Sequence, residues 1–460
     1  MNDKNLFVRQ AMALAVTAAF SQVSWAQQAT SGVEQTGTEG KAVETAPAPV
    51  SPISSTAQSF DSIFGATINP NQIAFTPSYE SSGRANVPGI MTAPAFGAPV
   101  RFGGVFVYPD VILTYGNNDN LLGTSSNARS TRFTNVHTNA VAEVKNDGDR
   151  YTASYTGNYA RFASSSSDNY DHHEFAVAGD NTFSSRARLG WVGGYLSSTD
   201  PRGSTDRTLS ATPDKWHAAS VAALFAYGAY GAQGRFEVES FAQQKRYDNN
   251  IAFTAGGDLN MVNVAGRFLY RVAPKTSVLF ELREIKTDYQ LSTSTNSNTD
   301  RRILIGATWE ATAATTGVIK LGQLKKNFDS SARGDYSGLS WEGSVRWTPL
   351  TYSAVDFNTS RAPADSTGVG DYILNRAESL RWTHQWNSVT STKLNLGQVN
   401  SVYHGINLQQ DTKNYGVGVS YAWRRWLSVT AELATTRRTS NVPVQEYKRN
   451  VVSLSLEGTL

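Results

Sequence analysis

The sequence contains no cysteine among its 460 residues. This absence excludes disulfide bonds, thiolate metal sites, cysteine nucleophiles and a lipid anchor on an N-terminal cysteine. Long apolar runs are also missing, because the strongest one, residues 11–20, covers only half of the about 20 residues that a membrane-spanning helix needs. A helical inner-membrane protein is therefore excluded, and any crossing of a membrane has to use strands.

Charged residues are few, and the common catalytic motifs are absent. Charged residues make up 17% of the chain, and 41 basic against 38 acidic residues leave a net charge of +3, so the charge balance does not indicate nucleic acid as a partner. The sequence has no GxSxG elbow, no HExxH motif and no P-loop. We predict that the protein is not an enzyme and binds no cofactor. A serine, histidine and carboxylate brought together in space on an outer wall stays open as an alternative.

One short stretch has the composition of a metal site, namely Asp171, His172, His173 and Glu174. Adjacent residues of a strand point to opposite faces, and this stretch lies where a loop meets a strand. We therefore interpret it as surface polarity and predict no metal site.

The N-terminus has the pattern of an export signal. Lys4 and Arg9 precede the apolar run, and Ser24 and Ala26 are small residues at the positions that a signal peptidase recognises. We predict a signal peptide over residues 1–26. Residues 27–101 are rich in Ala, Pro, Ser and Thr, which predicts an extended periplasmic segment that serves as a linker, enters a pore or docks on a partner.

From residue 102 onward, apolar and polar residues alternate in stretches of about 10 to 16 residues, as in half-buried strands. Trp341, Val345 and Trp347 share one face of such a stretch, and Glu342 and Arg346 share the other. The pattern predicts eighteen strands, near residues 104–117, 131–145, 149–162, 172–183, 185–198, 214–228, 231–246, 257–272, 275–289, 300–313, 315–328, 338–348, 350–361, 370–385, 389–399, 412–424, 427–438 and 447–460.

The predicted connections alternate in length. Short turns follow the even strands, for example at 147–148, at Ser184 and at Pro349, and long polar loops follow the odd ones, for example over 118–130 and 400–410. Outer-membrane barrels have an even number of strands, short periplasmic turns and long extracellular loops. A soluble propeller or sandwich has no reason to alternate in this way. The fold class is therefore all-β, a transmembrane antiparallel up-and-down β-barrel of residues 102–460 in the outer membrane.

The two faces of the strands predict different roles. Aromatic residues such as Tyr151, Tyr155 and Tyr159 are expected to face lipid near the headgroups, with a sugar-stacking track as the alternative. The opposite face predicts a polar lumen, in which Arg267, Arg283 and Arg302 form a basic row on successive strands or are simply charge-paired. The candidate pore-lining residues are Arg235, Glu237, Arg267, Arg271, Glu281, Arg283, Arg302, Glu310, Lys320, Glu342, Arg346 and Lys393.

The two ends of the barrel region resemble a known family. Residues 105–122 (VFVYPDVILTYGNNDNLL) place a strand after a proline and end it in an asparagine-rich acidic turn, and near the other end residues 438–441 (RTSN) are followed by Tyr447, Asn450 and the alternating last strand. These features resemble the outer-membrane barrels encoded with exopolysaccharide synthesis genes, the EpsL-like family. The resemblance covers roughly residues 102–460, although Leu460 stands where an aromatic residue is more usual.

The resemblance implies a passive conduit that exports a secreted polysaccharide together with a periplasmic export protein. We expect the outer-membrane lipid bilayer and the barrel assembly machinery as further partners, and no nucleic acid. Two alternatives from the residues themselves are an uptake porin for small anionic or sugar solutes and a structural or adhesive surface barrel.

Overall fold

Eighteen long antiparallel strands dominate the computed structural model, which describes residues 78–79, 85–86 and 99–459 except 203, 205–209, 230, 313, 367 and 369. The strands are β1 Val105–Asn118, β2 Thr131–Asn146, β3 Asp149–Phe162, β4 Tyr170–Thr182, β5 Ala187–Asp200, β6 Asp214–Tyr227, β7 Gly234–Tyr247, β8 Leu259–Ala273, β9 Thr276–Tyr289, β10 Asn298–Thr312, β11 Thr315–Phe328, β12 Tyr336–Leu350, β13 Ser353–Asp365, β14 Tyr372–Gln385, β15 Thr390–Tyr403, β16 Leu408–Arg424, β17 Leu427–Ser440 and β18 Tyr447–Thr459.

Each strand pairs with its neighbours in sequence, and the last strand closes the sheet on the first. Between β18 and β1 the pairing runs from Val451 opposite Asn118 to Thr459 opposite Asp110. Closure leaves no unpaired sheet edge, which is the condition for a sheet to stand in lipid. The predicted closed, up-and-down barrel of eighteen strands is therefore confirmed.

The alternation of the sequence becomes an alternation of burial. On β18, Val452 and Leu454 are 55% and 51% exposed on the outside, whereas Ser453 and Ser455 between them are 6% and 3% exposed on the inside. The apolar face thus points outward and the polar face inward, which is the reverse of a soluble protein and the arrangement of a barrel in lipid.

Outward aromatic rings gather where the short turns lie. Tyr227, Tyr270, Trp347 and Trp423 are about half exposed there. Strand register also places Tyr151, Tyr155 and Tyr159 on the outer face, opposite Val144, Ala140 and Val136. The Tyr155 hydroxyl lies 2.6 Å from that of Tyr159 and 3.0 Å from Nδ1 of His173. The predicted outward direction of these rings is therefore confirmed.

The connections divide into a short-turn end and a long-loop end. The first consists of residues 147–148, 183–186, 228–233, 274–275, 313–314, 351–352, 386–389 and 425–426. The second consists of residues 119–130, 163–169, 201–213, 248–258, 290–297, 329–335, 366–371, 404–407 and 441–446. The alternation holds for most junctions, but connection 404–407 is no longer than connection 386–389, and connection 228–233 is as long as connections 366–371 and 441–446.

Two local predictions were wrong. The loop expected over residues 400–410 is only 404–407, because Tyr403 pairs with Leu408 and both pack in a buried cluster with Ala364 and Ile373. These tertiary contacts lengthen β15 and β16 beyond the alternating pattern. Pro349 lies inside β12 instead of forming the turn, where an irregularity in pairing between Trp347 and Leu350 tolerates its missing N–H.

A few short elements accompany the barrel. Strand Val100–Phe102 pairs with the start of β1, and Ser78–Tyr79 pairs with Ala85–Asn86. Single turns of 3₁₀ helix occur at Ser166–Asp168, Ala255–Gly257 and Pro443–Gln445, and an α-helical turn at Ile251–Thr254. No helix in the described part of the chain is long and apolar enough to cross a membrane. The predicted signal peptide and most of the predicted periplasmic segment lie outside the described residues.

Candidate functional site

The inner wall of β7 to β12 carries a continuous set of ion pairs. Strand register brings Glu237 opposite Arg267, Arg267 opposite Glu281, and Lys320 opposite Glu342. We name this set the charge ladder. It consists of Glu237, Glu239, Arg267, Glu281, Arg283, Asp300, Arg302, Lys320 and Glu342, whose side chains are all at most 7% exposed.

Arg267 on β8 occupies the centre of the first half of the ladder. Its guanidinium forms ion pairs with Glu237 and Glu239 on one neighbouring strand and with Glu281 on the other. The Nη2 atom of Arg283 lies 2.9 Å from Glu281. A planar guanidinium with five donors suits such multiple pairing better than an ammonium group does.

The second half of the ladder depends on Lys320 on β11. Its Nζ atom lies 2.6 Å from Glu342 on β12 and 3.3 Å from Glu281 on β9, so the side chain reaches across β10. Gly306 is the residue of β10 directly opposite Lys320, and a Cβ atom there would lie 2.2 Å from the carbonyl oxygen of Ile319 and 3.0 Å from Cγ of Lys320. The missing side chain of Gly306 therefore leaves the room in which Lys320 crosses the strand.

Arg302 completes the ladder toward the long-loop end. Its guanidinium binds Glu342 and Asp300, each at 3.0 Å. Arg267, Arg283 and Arg302 thus do lie on three successive strands of the inner wall, as the sequence predicts. Each is paired with carboxylates, however, so the wall has the charge-paired character given above as the alternative to a basic row.

The remaining candidate residues lie apart from the ladder or at its edge. Arg235 extends the ladder through Glu237, at 2.7 Å. Arg346 is 47% exposed and pairs with Asp356 at 3.4 Å. Arg271 is partly exposed close to the short-turn end.

Lys393 on β15 is 6% exposed and lies outside the wall of β7 to β12. Gly418 on β16 lies between Lys393 and Glu432 on β17. The side chain of Glu310 lies outside the described residues. That these inner-wall residues line a conducting path stays a prediction.

A second cluster, which the sequence did not reveal, forms around Asp365 at the last residue of β13. Its carboxylate accepts hydrogen bonds from Tyr289 on β9 at 2.8 Å and from Asn298 on β10 at 3.1 Å, and it forms an ion pair with Lys326 on β11 at 2.5 Å. Asp365 is 3% exposed.

The hydrogen bond between Tyr289 on β9 and Asp365 on β13 cannot form while both strands stay in the regular wall of the barrel. Neighbouring strands are about 4.8 Å apart, so four steps along the sheet separate the two backbones by about 19 Å. A tyrosine and an aspartate side chain together do not bridge that distance. The end of the β13–β14 hairpin therefore bends inward across the barrel interior at the long-loop end.

Loop contacts hold the bent hairpin in place. Arg333 in connection 329–335 donates to the carbonyl oxygens of Gly370 at 2.9 Å and Asp371 at 2.6 Å and to Thr295 Oγ1 at 2.9 Å. Three connections at the long-loop end are thereby linked through one guanidinium.

A further long-loop connection is tied down by an ion pair. Nε of Arg202 lies 2.7 Å from Asp168, and both side chains are nearly buried. The hydrogen bond that Arg202 donates to Asp168 raises the pKa of Arg202 and keeps this pair charged.

Inward-facing aromatic rings lie beside this cluster. Trp216 and Tyr247 are paired across β6 and β7 and both hydrogen-bond to Asp200, at 2.9 and 2.7 Å. The Nζ atom of Lys245 lies 4.1 Å from the Trp216 ring centroid. Tyr289 continues the row on β9. The sequence prediction placed aromatic rings on the lipid-facing side, and these inward rings lie outside it, although the period-two alternation of their strands gives their direction.

The histidine pair at residues 172 and 173 is divided between the two faces. Register places His172 beside Asn158 inside and His173 beside Gly157 outside. Among the described residues, no group of three or more histidine, aspartate and glutamate side chains has the arrangement of a metal site.

Comparison with known proteins identifies relatives at the level of family and fold. The model of a family described as putative beta-barrel porin 2 matches residues 94–459. No curated protein matches the chain. Among solved structures, a BenF-like porin from Pseudomonas fluorescens Pf-5 is 10% identical with a TM-score of 0.46, covering 78% of this chain and 100% of that one.

Two further solved structures show similarly low identity. The outer membrane protein opdK from Pseudomonas aeruginosa is 10% identical with a TM-score of 0.43, covering 77% of this chain and 99% of that one. A bacterial polysaccharide outer membrane secretin is 9% identical with a TM-score of 0.34, covering 77% and 98%. At these values the similarities say nothing about what this chain conducts.

Proposed function

Because this chain belongs to the putative beta-barrel porin 2 family, we propose that it is an uptake porin for small polar solutes, anionic or sugar-like. The protein is an outer-membrane β-barrel surrounded by lipid. The long-loop end faces outward in this proposal, and solutes enter there.

The observation that carries the proposal is the position of Asp365. Its contacts with Tyr289, Asn298 and Lys326 hold the end of the β13–β14 hairpin across the interior. A segment that crosses the opening narrows it, and a narrowed opening admits small solutes while hindering a polymer. Eighteen strands alone enclose an interior too wide for side chains to fill, so the size limit has to come from such a segment.

The charge ladder supports the same proposal in a different way. Its paired carboxylates and cations give one wall a polar surface with little net charge. Because the side chains fix each other and are at most 7% exposed, they hold the wall in place and offer little free charge to a passing solute. Selection by size and hydrogen bonding is then expected to outweigh selection by charge.

The test is single-channel conductance of the full chain in a planar bilayer, with Asp365→Ala against the wild type. Hydrogen bonds to a charged group are worth about 1.5–3 kcal/mol each. Each 1.4 kcal/mol of interaction free energy lost raises the ratio of unbent to bent hairpin about tenfold. We expect the Asp365→Ala channel to conduct clearly more and to admit larger solutes.

The matched control is Asp356→Ala on the inner face of the same strand, outside its bent end. Within the described part of the chain, Asp356 forms one ion pair, with the exposed Arg346 at 3.4 Å. The control is expected to conduct like the wild type. Equal conductance of Asp365→Ala and wild type, or free passage of long polymer fragments through the wild type, would reject the proposal.

Export of a polysaccharide is the second candidate, and the inward aromatic row favours it. Trp216, Tyr247 and Tyr289 lie in a row inside the barrel at the long-loop end, each 7–8% exposed, and such rings stack against successive sugars where a polymer displaces the side chains that cover them. A periplasmic export protein would then be the partner on the other side. Under this candidate, deletion of the gene leaves polymer synthesis intact and abolishes surface polymer, whereas the uptake porin predicts normal surface polymer.

A further inference from the structure

The lysines and arginines that face outward are distributed unevenly between the two ends of the barrel. By strand register, the outward-facing basic residues of the described strands lie in the half nearer the long loops, from Arg132 on β2 to Lys448 on β18, with the exception of Arg424 at the irregular end of β16. The basic residues of the other half, such as Arg235 and Lys393, point inward. The outer face of the strands therefore carries most of its positive charge at one membrane boundary.

Three of these cations lie directly side by side. Lys413 on β16 is opposite Arg437 on β17, and Arg437 is opposite Lys448 on β18. We name these three residues the outward rung. Directly opposite residues have Cβ atoms about 4.5–5.5 Å apart, and like charges at that distance destabilise a sheet. An arrangement that repels itself is expected to have an anion as its partner.

The surrounding acids do not neutralise the rung. Lys413 has one carboxylate neighbour, Asp411 at 3.6 Å. Within the described part of the chain, the side chains of Arg437 and Lys448 form no ion pair and no hydrogen bond. Both residues are exposed. At least two cations are thus available to an external anion.

The surface next to the rung, toward the short-turn end, is apolar. Val417 and Val419 on β16, Leu433 on β17, and Val452 and Leu454 on β18 point outward and are exposed. A ligand that covers both parts has to carry phosphate or another strong anion at one end and hydrocarbon at the other. Guanidinium and ammonium groups bind phosphate oxygens through charge-assisted hydrogen bonds.

We propose that the outward rung binds the phosphorylated headgroup of a lipid in the membrane leaflet at the long-loop end, with the acyl chains of that lipid on the apolar surface of β16 to β18. The ligand class is a lipid that bears phosphate monoesters. This inference rests on the outer-membrane location of the barrel and not on which solute the interior conducts.

The experiment titrates the detergent-solubilised full-length protein with fluorescent bisphosphorylated lipid A. The test variant combines Lys413→Gln, Arg437→Gln and Lys448→Gln. Loss of three surface cations is expected to weaken binding by about tenfold or more. Unchanged heat-dependent gel mobility of the variant shows that the barrel is folded.

The matched control combines Lys286→Gln, Arg301→Gln and Lys325→Gln, which removes the same charge from the outer face of β9 to β11. There Arg301, which lies opposite Lys325, is neutralised by Glu284 at 2.7 Å, and Lys286 by Asp288 at 3.6 Å. Among the described residues, Lys325 is thus the one cation of the three without an ion pair, whereas the outward rung has two. The control is expected to bind the probe like the wild type.

Four outcomes would overturn the proposal. The first is that the test variant binds the probe as tightly as the wild type, and the second is that the control loses as much affinity as the test variant. The third is that dephosphorylated lipid A binds as well as the phosphorylated form. The fourth is that inorganic pyrophosphate displaces the probe at matching concentration, which would identify a soluble phosphate and not a lipid as the ligand.

Discussion

Glu281 on β9 accepts contacts from three cations, since Arg267, Arg283 and Lys320 all reach its carboxylate. The side chain is fully buried on the inner wall. Burying a carboxylate costs desolvation free energy, and the ion-pair partners in the ladder offset that cost. Removing it would leave three buried cations without their shared partner.

Glu281→Gln is therefore expected to destabilise the barrel strongly. Breaking a buried pair by removing one partner costs about 3–5 kcal/mol. The measurement is denaturant unfolding of the folded protein in lipid vesicles, followed by tryptophan fluorescence.

Glu284→Gln is the control for this change. Glu284 lies on the same strand, faces outward and pairs with the exposed Arg301 at 2.7 Å. Exposed ion pairs contribute about 0–1 kcal/mol, so this variant is expected to unfold close to the wild type. Equal unfolding midpoints of the two variants would show that the ladder does not stabilise the wall.

At the scale of the element, the β13–β14 hairpin departs from the regular wall. Its inward bend depends on one carboxylate at the end of β13, and strands β9 to β11 supply the partners. Because the sequence has no cysteine, introduced thiols have no native thiol to compete with them. The position of the hairpin can therefore be fixed chemically.

The double variant Asn298→Cys with Asp365→Cys tests this position. The two native side chains are 3.1 Å apart between Asn298 Nδ2 and Asp365 Oδ1. We expect the uncrosslinked variant to conduct more than the wild type, because the contacts of Asp365 are gone, and a short bifunctional thiol reagent to return the conductance to the wild-type value.

Asp365→Cys alone, treated with the same reagent, is the control and is expected to keep its raised conductance. If the double variant does not crosslink while it remains folded, the hairpin does not lie against β10, and the bend is absent in the membrane.

At the scale of the whole molecule, the barrel has two unlike ends. Aromatic rings gather outside at the short-turn end, whereas outward cations gather at the long-loop end. Outer-membrane barrels have their long loops outside the cell and their short turns in the periplasm. We expect the same orientation here.

Cysteine labelling on intact cells measures this orientation. Ser126→Cys lies exposed in connection 119–130, and Lys275→Cys lies exposed in the turn 274–275. A membrane-impermeant maleimide is expected to label the first variant and not the second, while both react after the cells are opened. Labelling of Lys275→Cys alone on intact cells would reverse the orientation.

The sequence by itself determined the barrel. Alternation of apolar and polar residues with period two is a local property that also fixes which side chains face lipid, so the number of strands and the directions of Trp341 and Glu342 follow without knowledge of the fold. The inward direction of Arg267, Glu281 and Lys320 could be read from the same period.

The tertiary structure decided what those inward residues contact. Which carboxylate pairs with which cation depends on the register between strands, and the crossing of Lys320 over Gly306 depends on a third strand. The bend at Asp365 depends on partners two to four strands away, a separation that no local pattern encodes. Periodicity specifies the direction of a side chain, whereas its partner is set by packing across the closed sheet.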